Sequence, residues 1–117
     1  LAKLCETFGV TAESKLDRAR ALADVTGLTV LAKGPDTVLV HDGMTSFFPR
    51  GSSWLSVAGS GDVLAGILGS RLATHSNPRR AAEESVWLHH EAARLASPAF
   101  SAGELAHAVK PAMASFL

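Results

Sequence analysis

The sequence predicts an α/β fold, in which amphipathic helices pack around a small set of strands. Apolar residues recur at helical spacing in several segments, whereas the apolar runs at 28–32, 38–40 and 44–48 have the length of strands. Glycine, proline and an Asp-Gly pair separate these segments, as is typical of turns. With 117 residues and 47% hydrophobic content, the chain has the size of one small domain and can fill a core.

Two helices are predicted before the first strand. Four apolar residues at helical spacing open the chain within a helix that has no capping residue: Leu1, Leu4, Cys5 and Phe8. Thr11 marks the start of the second helix, and Gly27 marks its end, where glycine commonly adopts the left-handed conformation. The apolar face of this second helix consists of Leu16, Ala19, Leu22 and Ala23.

Three strands are predicted next. Residues 28–32 form a short, nearly unbroken apolar run after a helix, so we expect a strand that is buried on both faces of an α/β sheet. Residues 38–40 and 44–48 flank the sequence His41-Asp42-Gly43. Because an Asp-Gly pair between two apolar runs is a hairpin signal, these two strands are expected to be antiparallel.

The remaining sequence predicts three helices. The segment 59–61 leads into an amphipathic helix with an apolar stripe of Val63, Leu64, Ile67, Leu68 and Leu72. Asn77 and Pro78 begin the next helix, because the missing N–H of proline costs nothing in a first turn. Small residues dominate one of its faces, which comprises Ala81, Ser85, Leu88, Ala92 and Leu95. Ser101 and Glu104 form a capping box for the last helix.

The charge balance disfavours several classes of partner. Eleven basic side chains balance eleven acidic ones, so no overall field attracts nucleic acid or an anionic membrane, and a phosphate must be held locally. No apolar run approaches the roughly 20 residues that span a bilayer. The single cysteine, Cys5, cannot form an internal disulfide, which fits a reducing compartment. We therefore expect a cytoplasmic protein with neither nucleic acid nor membrane as a partner.

The segment Gly59-Ser60-Gly61-Asp62 is the strongest candidate for a functional site. Two glycines let backbone N–H groups converge without β-carbons in the way, and the positive end of the following helix favours an anion such as phosphate. Asp62 could then take a proton from a substrate hydroxyl that attacks a phosphoryl group, while the N–H groups stabilise the developing charge. The alternative is that Asp62 only complements the helix dipole.

Several motifs follow one another along the chain: Val30-Leu31-Ala32-Lys33-Gly34-Pro35-Asp36-Thr37, Asp42-Gly43, Trp54-Leu55, Gly59-Ser60-Gly61-Asp62-Val63-Leu64-Ala65-Gly66, Ala81-Ala82 and Val86-Trp87-Leu88-His89. In this order they resemble the motifs of the ADP-dependent NAD(P)H-hydrate dehydratases of the ribokinase-like superfamily. The resemblance implies a three-layer α/β/α ribokinase-like domain, of which residues 1–117 would be the C-terminal half. It also implies that the family's upstream Thr-Pro-His stretch and earlier strands are absent here. The chain would then hold only part of the active site, a half-site, which is not expected to be active alone.

The resemblance further implies a repair reaction on NAD(P)HX, the hydrated form of NAD(P)H. The hydroxyl of the (6S) hydrate would be phosphorylated and then eliminated as phosphate, with ADP or ATP as the nucleotide and Mg²⁺ as an expected cofactor. Asp62 would be the base and would face the hydrated nicotinamide ring. Residues expected to bind the nucleotide are Lys33, Gly34, Pro35, Asp36 and Thr37, together with Gly59, Ser60 and Gly61 on the phosphate side. The alternative to nucleotide binding is that residues 34–36 form a simple turn.

Three positions depart from the family pattern. Val57 stands where the family usually has a threonine, His90 where it has a glycine, and Ala93 where glycine is common. The adjacent His89-His90-Glu91 lacks the i, i+4 spacing of a zinc helix, so no metal site is expected there. The small-residue helix 78–96 could pack against a neighbouring subunit, and the intact protein is expected to be a homo-oligomer.

Two other functions remain open from the sequence. A small-molecule kinase of the same superfamily would use Asp62 in the same chemical role but release a phosphorylated product. Residues 33–37 favour the dehydratase over this kinase. A nucleotide-binding remnant without turnover is favoured by Val57 and by the absence of the upstream motif.

Overall fold

The computed structural model describes residues 1–34 and 36–116, without the side chain of residue 116. The chain forms two compact units, Leu1–Arg50 and Gly51–Leu117. The first unit combines helices with strands, and the second is helical. Within the described part of the chain, no helix is both long and apolar enough to cross a membrane.

Two helices open the first unit, as predicted. Helix α1 spans Ala2–Thr7 and α2 spans Lys15–Thr26. The prediction that Thr11 starts α2 is wrong, because the Ser14 side chain accepts a hydrogen bond from the Asp17 N–H at 3.1 Å and caps the helix. Gly27 ends α2 in the left-handed conformation, which confirms the predicted stop.

Strands β1 (Val30–Ala32), β2 (Val38–His41) and β3 (Met44–Phe47) form an antiparallel sheet in the order β1-β2-β3. Val40 pairs with Val30 on one side and with Thr45 on the other. The predicted hairpin is confirmed, since Asp42 and Gly43 both have positive φ, 48° and 75°, as a type I′ turn requires.

The expectation that residues 28–32 form a strand buried on both faces is wrong. The strand begins only at Val30, and of its residues Ala32 alone is buried. The physical reason is how the sheet faces are covered: α2 packs on the face that carries Ala32, whereas Leu31, on the opposite face, stays partly exposed. The unit's core lies where α2 packs on β1 and β2, and it contains Ala19, Ala23, Ala32, Val38 and Val40.

The second unit begins with a 3-10 turn at Ser53–Ser56, followed by three helices. These are α3 (Ser60–Thr74), α4 (Pro78–Ala96) and α5 (Ala102–Phe116). Asn77 caps α4 through the N–H groups of Arg79 and Arg80, and the Ser101–Glu104 capping box is present in both directions, at 3.1 and 3.2 Å. Both predicted helix starts are therefore confirmed.

The small-residue face of α4 forms much of this unit's core. Ala81, Ala82, Ser85, Ala92 and Ala93 are all buried, and Ala92 and Ala93 belong to the hydrophobic cluster of this unit. Such small side chains let neighbouring helices approach closely. The larger core side chains come from all three helices and the loop before α5, and they are Ile67, Leu88, Phe100 and Leu105. Leu72 and Leu95, which were predicted to be apolar-face residues, are exposed because the core lies beside the middle of α3 and α4.

Candidate functional site

The glycine turn begins α3, and its first glycine is required by two independent features. Gly59 precedes the first helical residue with φ 91°, a conformation that L side chains rarely adopt. A β-carbon at this position would also lie 2.9 Å from the Cβ of Ala102 at the start of α5. The turn therefore fits tightly against the neighbouring helix.

Ser60, the residue between the two glycines, is held by three of its polar groups. Its N–H donates to the Val57 carbonyl at 3.2 Å. Its carbonyl oxygen accepts from Nε2 of His89 at 3.1 Å, and its Oγ lies 3.2 Å from the same nitrogen. Both side chains are buried, with Ser60 at 4% and His89 at 7% exposure. The side chain of Ser60 thus faces the protein, and its N–H is already used.

The donors that remain at the start of α3 belong to Gly61 and Asp62. Among the described residues, no side chain caps this helix and no acceptor contacts these two N–H groups. First-turn N–H groups of this kind bind anions, helped by the positive end of the helix dipole. Asp62 is exposed in the same turn. The arrangement can accept a phosphate and holds a carboxylate beside it.

The departure at Val57 has a packing explanation. The Val57 side chain is partly buried and packs against the core of the second unit, as do Leu55 and Val63. Its backbone carbonyl accepts the Ser60 N–H, so the residue supports the turn through the main chain. A hydroxyl-bearing side chain is therefore not needed for the turn to form.

Residues 33–37 form the loop between β1 and β2 in the first unit. Lys33, Gly34 and Asp36 are exposed, and Pro35 lies outside the described residues. Thr37 is buried, and its Oγ1 donates to the Gly34 carbonyl at 3.2 Å. The Lys15 ammonium on α2 donates to the Asp36 carbonyl. The loop is thus closed internally by Thr37 and anchored to a helix by Lys15.

Two residues with a part in these arrangements were missed by sequence reasoning, His89 and Lys15. Each acts over a long sequence separation, 29 residues for His89 and Ser60, and 21 for Lys15 and Asp36. One signal was available for His89, since a histidine on the small-residue face of a helix must meet a polar partner when it is buried. No comparable signal marked Lys15, which lies on the polar side of α2.

Metal-binding residues are not clustered in the described ranges. No group of three His, Cys, Asp or Glu side chains comes together in them.

The rings of His89 and His90 have centroids 6.3 Å apart and are tilted by 32°. Burial lowers the pKa of His90 below its ordinary value of 6.5. The ring of His90 lies against Gly51, where a β-carbon would be 2.8 Å from its Nε2.

Comparison with known proteins gives one consistent family. A family profile described as NAD(P)H-hydrate dehydratase matches residues 1–114. The ADP-dependent (S)-NAD(P)H-hydrate dehydratase of Neisseria meningitidis serogroup B is 36% identical over 118 residues, covering 95% of this chain and 40% of that protein. The bifunctional NAD(P)H-hydrate repair enzyme Nnr of Mycobacterium leprae is 40% identical over 86 residues, covering 73% of this chain and 18% of that protein.

A solved structure agrees with these relatives. The ADP/ATP-dependent NAD(P)H-hydrate dehydratase of Bacillus subtilis, co-crystallised with ATP and Mg²⁺ and soaked with CoA, matches with a TM-score of 0.81 and 26% identity. The match covers 97% of this chain and 47% of that structure, so the chain spans less than half the length of the relatives it matches. The predicted ribokinase-like α/β fold is thereby confirmed, and the chain belongs to the NAD(P)H-hydrate dehydratase family.

Proposed function

We propose that this chain carries the phosphate-binding and catalytic part of an enzyme that dehydrates the (6S) hydrate of NAD(P)H at the expense of ADP or ATP. Residues 1–117 then form the C-terminal half of a ribokinase-like domain. Family membership supports the reaction. The structural observation that carries the proposal is the exposed carboxylate of Asp62. It lies in the same helical turn as the N–H groups of Gly61 and Asp62, for which the described residues supply no acceptor.

Asp62 has the chemistry of a general base in this reaction. It accepts the proton of the hydrate hydroxyl while the hydroxyl oxygen attacks the terminal phosphoryl group of the nucleotide. The bond between that phosphorus and the bridging oxygen breaks, and AMP leaves from ADP, or ADP from ATP. The first-turn N–H groups stabilise the charge on the transferring group. In the second step the carbon–oxygen bond breaks and phosphate leaves with the electron pair. A proton leaves the neighbouring ring carbon, and the double bond of NAD(P)H forms again.

The loop 33–37 is our candidate for contact with the nucleotide. Lys33 offers an exposed cation, and the anchoring of the loop by Thr37 and Lys15 reduces the entropy lost when a ligand binds. Any Mg²⁺ is expected to arrive with the nucleotide phosphates and to retain waters, since Asp62 is the single carboxylate in the first turn of α3. A single carboxylate, together with phosphate oxygens and waters, suits an ion that the nucleotide carries. Such an ion would neutralise the charge of the phosphates.

The assembly and location of the protein are also proposals. We retain a homo-oligomer in the cytoplasm as the working description of the intact protein. The small residues Ala81, Ser85 and Ala92 on α4 are already buried. An interface on this helix would therefore use its exposed apolar residues, Trp87 and Leu95.

The test compares Asp62→Asn with Asp17→Asn in the full polypeptide that contains this sequence. Asp17 and Asp62 are both the third residue of a helix, so both complement a helix dipole, but Asp17 lies on α2. NAD(P)H recovery from the hydrate is followed by absorbance, with ADP and with ATP. Loss of the base in Asp62→Asn is expected to lower kcat by roughly 10²–10⁴-fold, with Asp17→Asn close to wild type.

Three other outcomes have distinct meanings. Equal activity of the two variants would reduce Asp62 to a dipole partner. No recovery by wild type with either nucleotide would instead favour the kinase or the non-catalytic binding module. The 117-residue chain is assayed in parallel, and full activity of this chain alone would contradict its description as a half-site.

A further inference from the structure

His89 connects the middle of α4 to the first turn of α3. Its Nε2 lies 3.1 Å from the Ser60 carbonyl oxygen and 3.2 Å from Ser60 Oγ. A carbonyl oxygen can only accept, so the contact with it requires a proton on Nε2. The same nitrogen cannot then also accept from the Ser60 hydroxyl. The geometry therefore assigns Nε2 of His89 as a donor to Ser60.

The turn that receives this bond is one that needs an anchor. Ser60 lies between two glycines, and glycine loses more backbone freedom on folding than any other residue. Its N–H is fixed by the Val57 carbonyl, and His89 fixes the opposite end of the same residue. Together these contacts orient the peptide groups that follow, which carry the N–H groups of Gly61 and Asp62.

The surroundings of His89 favour a dedicated contact. The residue is 7% exposed on a helix face whose neighbours are Ser85 and Ala93, both fully buried. These small side chains bring α4 close to α3, so that an imidazole reaches the backbone of the turn. A buried polar ring costs free energy unless it is hydrogen-bonded, and here Ser60 supplies the acceptor.

We propose that His89 is a positioning residue for the reaction: it donates from Nε2 to the Ser60 carbonyl and thereby holds the first turn of α3, with the Asp62 carboxylate, in the geometry used for phosphoryl transfer. This inference rests on the proposed function. It assigns His89 no contact with the substrate or the nucleotide. Its effect is on how the anion-binding N–H groups are aimed, and misplacing such groups slows catalysis.

The test uses three variants of the full polypeptide that contains this sequence. His89→Met removes the donor, and His89→Gln places an amide N–H near the position of Nε2. Ser85→Ala is the matched control, because Ser85 is one helical turn earlier on the same buried face and its Oγ donates to Ala81 within α4. His89→Met is expected to lower kcat about fivefold, the effect of losing roughly one hydrogen bond, with KM changed less than about twofold. His89→Gln should recover most of kcat, and Ser85→Ala should retain it.

A second readout does not depend on activity. The Val63 N–H donates to the Gly59 carbonyl at 3.1 Å and closes the turn, so its hydrogen exchange reports turn opening. We expect exchange about fivefold faster in His89→Met, and wild-type exchange in His89→Gln and Ser85→Ala. In wild type, ¹⁵N NMR should find a proton on His89 Nε2, a measurement that needs no variant to fold.

The outcomes separate this inference from the proposed function. If wild type shows no nucleotide-dependent dehydration, the proposed function fails, while Val63 exchange and the His89 tautomer still decide the positioning role. Wild-type kcat in His89→Met, equal loss in His89→Gln, or an unprotonated Nε2 would each overturn that role.

Discussion

Nε2 of His75 lies 2.7 Å from the Glu84 carboxylate, which connects the end of α3 to the start of α4. The same carboxylate is 3.3 Å from Nε of Arg80 and 3.9 Å from Nη1 of Arg71. The side chains of Glu84 and Arg71 are each only 11% exposed. The largely buried carboxylate of Glu84 therefore contacts two arginines and a histidine, where two helices of the second unit meet.

We predict that Glu84→Gln destabilises the second unit strongly. The substitution preserves the size of the side chain but leaves Arg71 as a buried cation without its anion. Breaking a buried pair in this way typically costs about 3 kcal/mol. Urea unfolding followed by circular dichroism gives the change in free energy.

Glu83→Gln is the matched control for this prediction. Glu83 is the preceding residue on α4, and its carboxylate lies 2.9 Å from Nε of Arg79. The side chain of Glu83 is 42% exposed and that of Arg79 is 34% exposed. An exposed pair at i, i+4 contributes only about 0.3–0.5 kcal/mol. Similar losses in the two variants would show that burial of the Glu84 cluster has no energetic consequence.

Gly59→Ala should disrupt the start of α3. The φ of 91° is unfavourable for alanine, and the new β-carbon would lie 2.9 Å from the Cβ of Ala102, so both features destabilise the variant. Backbone strain of this kind costs about 1–3 kcal/mol, so the melting temperature should fall. The proposed phosphate site should weaken too, which ADP titration by calorimetry measures in the full polypeptide.

Gly69→Ala, on the same helix, should have the opposite effect. No atom lies within 4 Å of a β-carbon built at Gly69, and its φ is helical. Alanine is favoured over glycine in a helix interior by roughly 0.5–1 kcal/mol, so stability should rise. A loss of stability in both variants would indicate that α3 rejects any added methyl group, and the special geometry of Gly59 would not be needed to explain its effect.

Local signals predicted the elements well where the deciding contacts were close in sequence. The Ser101–Glu104 box, Pro78 after Asn77, and the Asp42-Gly43 turn each involve residues within a few positions of one another. Sequence reasoning failed at β1, because a strand buried on both faces and a strand buried on one face can have the same apolar composition. What distinguishes them is the packing of other elements on the sheet, which is a tertiary property.

The candidate site shows the same division. The glycine turn and Asp62 were predicted because glycine and a first-turn acid have local physical meaning. The anchors of the two candidate segments were not predicted. His89 and Lys15 each reach a backbone carbonyl far away in sequence, and no local pattern shows which carbonyl a long side chain will find. The residues of the candidate site were thus predictable from the sequence, whereas the residues that anchor them were not.

His90 should make stability depend on pH. Burial lowers its pKa in the folded state below the ordinary 6.5, so the unfolded chain takes up its proton first as pH falls. Stability contributed by the neutral ring is therefore present above the ordinary pKa and is lost as pH falls toward the folded-state pKa.

In His90→Gln, the free energy of unfolding should fall less between about pH 7 and pH 5 than in wild type. The difference between the two proteins at about pH 8, where histidine is neutral, provides the baseline. Parallel curves over the whole range would rule out His90 as a source of pH dependence.

Lys15→Met should loosen the loop that we propose for nucleotide binding. The Lys15 ammonium donates to the Asp36 carbonyl, and methionine keeps most of the aliphatic chain without the donor. A hydrogen bond of this kind contributes about 1 kcal/mol, which corresponds to roughly fivefold more frequent opening. Hydrogen exchange at the Phe48 amide, which donates to the Thr37 carbonyl at the end of the loop at 3.1 Å, should accelerate by up to that factor when measured without nucleotide. Lys110→Met, on α5 in the other unit, controls for the loss of a positive charge. If exchange in the loop is the same in both variants, the anchor is not needed for loop order, and Thr37 alone closes the loop through its bond to the Gly34 carbonyl.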